Sequence, residues 1–226
     1  MKLGAYAATV GAMEQQKRLD VIANNVANAN SPGFKKDNVH FSNFLNQVTY
    51  TNMDQGPIRE TGHKLDLALS GNGFLRVETD QGVRYTRAGN LTVDNAKNLV
   101  TRDGWPVLGR NGPILIEKPQ DLRIDENGQL FDGNTQVDSL DIVQFPPDAA
   151  LKKVQNGYFE PSAPETQPGP AENCTVRQGA LEGANFNPVE EMVRMVETMR
   201  NFESYQKTIQ IFDKDLDGQL IQKLTG

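Results

Sequence analysis

Apolar residues follow two different rhythms along this chain. Near the N-terminus Leu3, Tyr6, Val10 and Met13 recur at spacings of three and four, and Leu19, Ile22, Val26 and Ala29 resume that spacing after a phase shift. Side chains three and four apart share one face of a helix, so the pattern predicts a helix over residues 3–29, about 40 Å long at ~1.5 Å per residue. Gly4, Ala8 and Ala12 lie on one face of it, small enough to admit the close approach of another helix. Ser31-Pro32-Gly33 should stop it, because proline disfavours helix in the residue before it and glycine accepts positive φ.

The far end carries a second stripe: Met195, Met199, Phe202, Tyr205, Ile209, Phe212, Leu216, Leu220 and Leu224. Spacing of three and four over that length is a coiled-coil signature. Asn187 suits the N-cap, Pro188 the first helical position, and Glu190 and Glu191 complement the positive end of the helix dipole. No helical segment adjoins it in sequence, so its expected partner is the N-terminal helix.

Between the helices the period changes to two. Runs such as "LDLALSG", "GFLRVET", "VRYTRAG" and "SLDIVQF" are separated by Gly, Asn and Asp, which predicts an all-β domain of hairpins from about residue 56 to 180. Residues 160–173 carry four prolines and read as an extended loop. The expected fold is α+β, with long terminal helices pairing as a coiled coil and an inserted all-β domain. Its segments are 1–34 helix and turn, 35–55 extended linker, 56–180 β-rich middle domain and 181–226 C-terminal helix.

Composition narrows the function classes. The 226 residues are 37% hydrophobic and carry a formal net charge of −6. That balance argues against a nucleic-acid partner, which needs a basic face to neutralise phosphates. One cysteine, Cys174, allows neither an internal disulfide nor a cysteine zinc site. "MKLGAYAATVGAM" resembles a weak signal peptide, but Gly4, Thr9 and Gly11 dilute it and "EQQKRLD" continues it without a turn. It is read as uncleaved. No apolar run approaches the ~18–20 residues that span a membrane, so the chain is read as soluble.

Candidate chemistry is sparse. "DKDLDG" at 213–218 copies the start of a calcium loop, but Leu224 stands where the bidentate glutamate belongs, which leaves a solvated acidic helix face. "GNGFLR" at 71–76 lacks the third glycine of a dinucleotide fingerprint and joins β-type runs, so it reads as a turn. His40 and His63 have no second ligand at helical spacing, and Cys174 has no nearby histidine. Trp105 follows a turn and reads as a core or edge aromatic. No catalytic, metal or cofactor site is expected.

What remains is "ANNVANANSPGFKKD", with four asparagines in seven positions beside a helix. Asparagine's amide competes with the backbone for hydrogen bonds, so something must offset the cost. Asn24 and Asn28 share a face, and Asn25 lies about 100° away. Interfacial amides fix register and partner choice at some cost in stability, which suits a helix packed among related helices in an ordered array.

These residues resemble the N-terminal signature of the bacterial flagellar axial proteins that form the rod and hook. Ala23, Asn24, Asn25, Val26, Ala27, Asn28, Gly33, Phe34 and Lys35 match its pattern. Leu65-Asp66-Leu67-Ala68 with Gly71, Gly73 and Phe74, then Tyr85-Thr86-Arg87-Ala88-Gly89, and Leu99-Val100 with Gly104, Val107, Leu108 and Gly109, resemble later motifs of the family. So does "QGALEGANFNPVEEMVRMVETMRNFE". The motifs run in order over almost the whole chain. Asn90-Leu91, the missing glycine before Leu99, and Phe186 depart from the usual pattern. The modest length and compact β insert resemble the proximal rod type, with the distal rod type as the alternative; a non-flagellar binding module using the β domain is a further one.

The resemblance implies a structural subunit rather than an enzyme. Its terminal helices would line a hollow tube, with the β domain outside. It would be exported by the flagellar type III apparatus without a cleaved signal and would assemble helically with itself and other rod proteins in the periplasm. The ring or bushing around the rod is a further possible neighbour. The expected assembly interface is Val10, Met13, Leu19, Ile22, Asn24, Asn25, Val26, Asn28, Gly33 and Phe34 at one end. At the other it is Asn187, Pro188, Met192, Met195, Met199, Phe202, Ile209, Phe212 and Leu216.

Overall fold

The computed structural model describes residues 2–43, 46–133, 135–147, 149–163 and 165–225, with side chains for 4–40, 48–133, 135–147, 149–155, 157–163 and 165–214. The expected side chains of Leu3, Leu216, Leu220 and Leu224 therefore lie outside the described residues. The chain divides into two compact units.

The first unit comprises Met1–Asn28, Asp37–Tyr50 and Phe186–Gly226. It holds helix α1, Lys2–Ala27, and helix α2, Pro188–Thr225. α1 ends in turns just before Ser31-Pro32-Gly33, where the sequence places the stop. Asn187 caps α2: its Oδ1 accepts the Val189 N–H at 3.0 Å, with Pro188 following at the first helical position. The two helices pack on each other. A methyl group on Gly4 would stand 2.9 Å from Phe212 Cζ, and one on Gly11 would stand 2.5 Å from Tyr205 Cε1. Seven residues up α1 thus match seven residues down α2. Fourteen more on each helix bring Asn25 to Glu191, which its amide touches. The helices run antiparallel with a seven-residue repeat of contacts. Ala8, Val10 and Ala12 are buried on α1, Glu191 and Thr198 on α2.

Within the segment 35–55, read from sequence as an extended linker, the strands Asp37–Asn43 and Asn46–Thr51 pair with each other. Extended chain with β-branched and aromatic residues satisfies its own backbone polar groups by pairing.

The second unit, Ala29–Lys36 with Thr51–Asn185, is β-rich. Its largest sheet has six antiparallel strands in the order Leu151–Lys153, Tyr158–Pro161, Gly82–Thr86, Phe74–Thr79, Ile142–Gln144 and Gly169–Pro170. The last strand lies within the proline-rich 160–173 segment and takes the edge, where a missing N–H is tolerated. Leu122–Ile124, Gln129–Asp132 and Thr135–Ser139 form a separate three-stranded sheet. Two long-range pairs close the unit: Ile58–Glu60 with Ala180–Glu182, and Leu67–Ser70 with Thr175–Gln178. The β region therefore reaches past residue 180.

An aliphatic core gathers Leu67, Leu75, Leu99, Val107, Ile116, Leu130 and their neighbours. A smaller aromatic one gathers Phe74, Tyr85, Phe145 and Phe159. "GNGFLR" is a turn, with Gly71 at φ +108° before the buried Gly73 and Phe74. Backbone at 213–218 continues α2 and is helical rather than a calcium-binding loop. Among the described residues no group of three or more His, Cys, Asp or Glu side chains is placed to hold a metal, and no helix is long and apolar enough to cross a membrane.

Candidate functional site

The asparagine run divides its tasks. Asn25 is fully buried near the end of α1. Its Oδ1 accepts the Asp37 N–H at 3.0 Å and its Nδ2 donates to the Asp37 carbonyl at 2.9 Å, so one side chain makes the pair of bonds of a β-bridge. The same Nδ2 reaches Glu191 Oε2 at 3.5 Å. Glu191, itself buried, accepts from Arg194 at 3.2 Å. Asn25 therefore joins the end of α1, the start of the outgoing strand and the first turn of α2. Those bonds offset the cost of an asparagine in a helix. Asn28 acts locally, donating to the Asn24 carbonyl at 2.9 Å and satisfying one of the last-turn acceptors. Asn24 is exposed.

In the β-rich unit, Gly33-Phe34-Lys35 seats a second knot. Gly33 has φ +66°, and a methyl group there would lie 2.4 Å from the Arg87 carbonyl carbon, so both conformation and space demand glycine. Its N–H donates to the Glu182 carbonyl at 2.7 Å. Phe34 is buried beneath the Lys153 ammonium, 3.5 Å from the ring centroid, and that ammonium also donates to the Lys35 carbonyl at 2.7 Å. Asn185 takes the Lys36 N–H on Oδ1 at 2.7 Å and donates to the carbonyls of Asn52 and Asp54.

At the centre of this knot lies a buried trio of charges. Lys35 Nζ meets Glu182 Oε1 at 2.6 Å and the Asp54 carbonyl at 2.7 Å. The Gly56 N–H donates to the same Oε1 at 2.8 Å. Arg87 approaches Glu182 Oε2 at 3.5 Å and donates to the carbonyls of Leu69 and Gly71. Burial pulls the Lys35 ammonium below its ordinary pKa of 10.5, with Glu182 opposing the shift. Burial lowers Arg87 in the same way.

The expected interface residues are not one surface within the subunit. On α1, Val10 is buried, Leu19, Ile22 and Val26 are half-buried, and Met13 is exposed. On α2, Met195, Phe202, Ile209 and Phe212 are half-buried, while Met192 and Met199 are exposed. Sequence reasoning placed Lys35, Arg87, Glu182 and Asn185 inside family motifs and Glu191 at the start of α2, but gave none of them a bonding role. Lys35, Arg87 and Glu182 each sit inside a motif quoted for the resemblance, but nothing in linear spacing says that Lys35 and Glu182 are partners.

Three family profiles match the chain. "Flagella basal body rod protein" covers residues 6–35, "Flagellar hook protein FlgE/F/G D1 domain" covers 68–134, and "Flagellar basal body rod FlgEFG protein C-terminal" covers 177–222. The flagellar basal-body rod protein FlgG of Bacillus subtilis is 32% identical, with 93% of this chain and 95% of that protein aligned. The chain belongs to the flagellar basal-body rod protein family. Rod protein FlgF of Caulobacter vibrioides is 30% identical over 86% of this chain and 87% of its own, and FlgG of Agrobacterium fabrum 31% over 95% and 96%. This rod protein is thus a structural component of the flagellar basal body and not an enzyme. The three profiles fall on the parts that carry both knots: Asn25 and Gly33 to Lys35 in the first, Arg87 in the second, Glu182, Asn185 and Glu191 in the third.

Proposed function

We propose that this rod protein is a FlgF-type subunit of the proximal rod, whose α1 and α2 pair as an antiparallel coiled coil and carry the contacts of a helical array. The coiled-coil reading is supported by the seven-residue repeat of contacts, Gly4 with Phe212, Gly11 with Tyr205 and Asn25 with Glu191. The last of these is a polar layer, the kind that fixes register. The observation that carries the assembly reading is an exposed apolar stripe on α2. Val189, Met192, Val193, Val196 and Met199 recur at spacings of three and four, and each is between 45% and 66% exposed. Tyr6 and Met13 on α1 are likewise exposed, seven residues apart. A stripe of that length facing water is costly unless neighbours cover it. A repeated heterologous contact that does not close builds a helical array.

The proximal type is supported by length. The FlgG alignment with Bacillus subtilis extends over 256 positions to take in 93% of this chain of 226 residues, so that relative carries insertions absent here. The Caulobacter FlgF alignment needs only 214 positions. We further infer export by the flagellar type III apparatus with the N-terminal helix retained, residence in the periplasmic part of the basal body, and contact with other rod proteins and the surrounding ring. Electron microscopy of basal bodies from a strain lacking this gene tests the reading. Rods that stop just beyond the membrane ring are expected, restored by the gene in trans. Rods missing only their distal part would replace the proximal assignment with the distal one, and normal rods with normal swimming would overturn both.

A further inference from the structure

A cavity of about 350 Å³ opens in the β-rich unit, outside both knots but touching one of them. Phe74, Phe145, Ala149 and Leu151 supply apolar wall, and Arg87 and Asp54 supply charge. Phe74 and Phe145 meet edge to face with centroids 5.8 Å apart, so the apolar wall is rigid. That volume holds a ring or a branched alkyl group with a small polar head.

The charge on its inner side does not balance. The trio behind the cavity has two cations, Lys35 and Arg87, against the single carboxylate of Glu182, and all three are at most 3% exposed. Lys35 Nζ and both terminal nitrogens of Arg87 are engaged, but Arg87 Nε is buried with no hydrogen-bond partner. The buried surplus of positive charge costs free energy that an anion beside Arg87 lowers. Asp54, exposed at the rim, attracts the Lys35 ammonium and offsets part of the surplus, but it does not act on Arg87, where Glu182 opposes the effect of burial.

We propose that this cavity binds a ligand bearing a carboxylate beside an apolar group. The apolar part lies against Phe74, Phe145 and Leu151, and the carboxylate faces Arg87. Two sources share that chemistry: a free small carboxylic acid, and the C-terminal carboxylate of a peptide that ends in an apolar residue.

Amide NMR of the full chain, titrated with phenylacetate and in parallel with neutral phenylacetamide, tests this. Phenylacetate should shift the amides of Phe145, Ala149 and Leu151 and bind about tenfold or more tighter than phenylacetamide, the scale of one charge-assisted contact. Ala149→Trp, which fills the cavity from its rim and leaves the ion trio untouched, should weaken phenylacetate about tenfold. Asp54→Asn should tighten it about twofold by removing a screened repulsion. Acetyl-Gly-Gly-Phe with a free terminus, compared with its C-terminal amide, separates the sources: tighter binding than phenylacetate identifies a chain terminus, weaker binding a free acid. No shifts at these amides, equal affinity for phenylacetate and phenylacetamide, or indifference to Ala149→Trp would each overturn the proposal.

Discussion

Removing the carboxylate of Glu182 should damage the β-rich unit more than any change at its surface. Glu182→Ala deletes an acceptor of Lys35 Nζ at 2.6 Å and of the Gly56 N–H at 2.8 Å, and the carboxylate that faces Arg87 at 3.5 Å. Two buried cations are then left with no buried carboxylate beside them, and only the exposed Asp54 attracts Lys35. Breaking a buried pair in this way costs about 3–5 kcal/mol. With a urea dependence of about 2 kcal/mol per molar for a unit of this size, the midpoint should fall by roughly 1.5–2.5 M. Trp105, the only tryptophan, sits half-buried in the same unit and reports the transition by fluorescence. Glu182→Gln keeps the shape and an acceptor for Gly56, so its cost should be smaller.

The same change has a signature in pH. Burial holds Lys35 below 10.5 in the folded chain, while Glu182 pulls it back up. From that lowered value up to about 10.5 the unfolded chain binds the proton more tightly, so stability attributable to Lys35 rises with pH. Glu182→Gln lowers Lys35 further and extends the window toward neutrality. Its cost relative to the native protein should therefore shrink as pH rises toward 10.5, and should do so less in a Lys35→Met background, where Cys174, held up by burial and in part by Glu182, still responds. Tyr158, whose hydroxyl burial pushes upward, loses stability above about 10 in both proteins and cancels in the difference. A midpoint shift under about 0.5 M for Glu182→Ala would refute the reasoning about buried charge.

Other positions give sharper local tests. Asn25→Ala removes two bonds to Asp37 and one to Glu191 and should lower the thermal stability of the helical signal by about 2–3 kcal/mol, with Asn24→Ala near neutral; equal losses would contradict the division of tasks. Gly11→Leu drives a side chain into the Tyr205 ring and should cost about 1–3 kcal/mol in circular dichroism melts, although leucine is the better helix former. Gly33→Ala combines a left-handed backbone with a 2.4 Å clash against Arg87 and should cost at least about 2 kcal/mol in the Trp105 transition.

Periodicity announced the helices because burial of one face leaves a mark every three or four residues. Met195, Phe202, Tyr205, Ile209 and Phe212 do turn inward to half-burial, and Pro188 and Asn187 open α2 where expected. Of the second stripe, Met192 and Met199 stand in the sequence reading, but Val189, Val193 and Val196 were hidden because the stripe overlaps the first in sequence and differs only in direction around the helix. Of the small residues read on one face of α1, Ala8 and Ala12 are buried and Gly4 meets Phe212, while Gly11, which was not among them, meets Tyr205. Turns placed the β hairpins, but the pairing of Ile58–Glu60 with Ala180–Glu182 joins segments over a hundred residues apart and no local signal encodes it. The ion trio was invisible for the same reason. Lys35, Arg87 and Glu182 each look like an ordinary surface charge until the chain closes.

Assembly through the exposed face of α2 is the central claim, and Val193→Glu with Val196→Glu tests it most directly. Both side chains are about half exposed in the subunit, so stability should change by no more than about 0.5 kcal/mol. Expressed in a strain lacking the gene, the double variant should be exported and folded yet leave cells non-swimming, with truncated rods in electron micrographs. Full swimming and complete rods from that variant would contradict the claim.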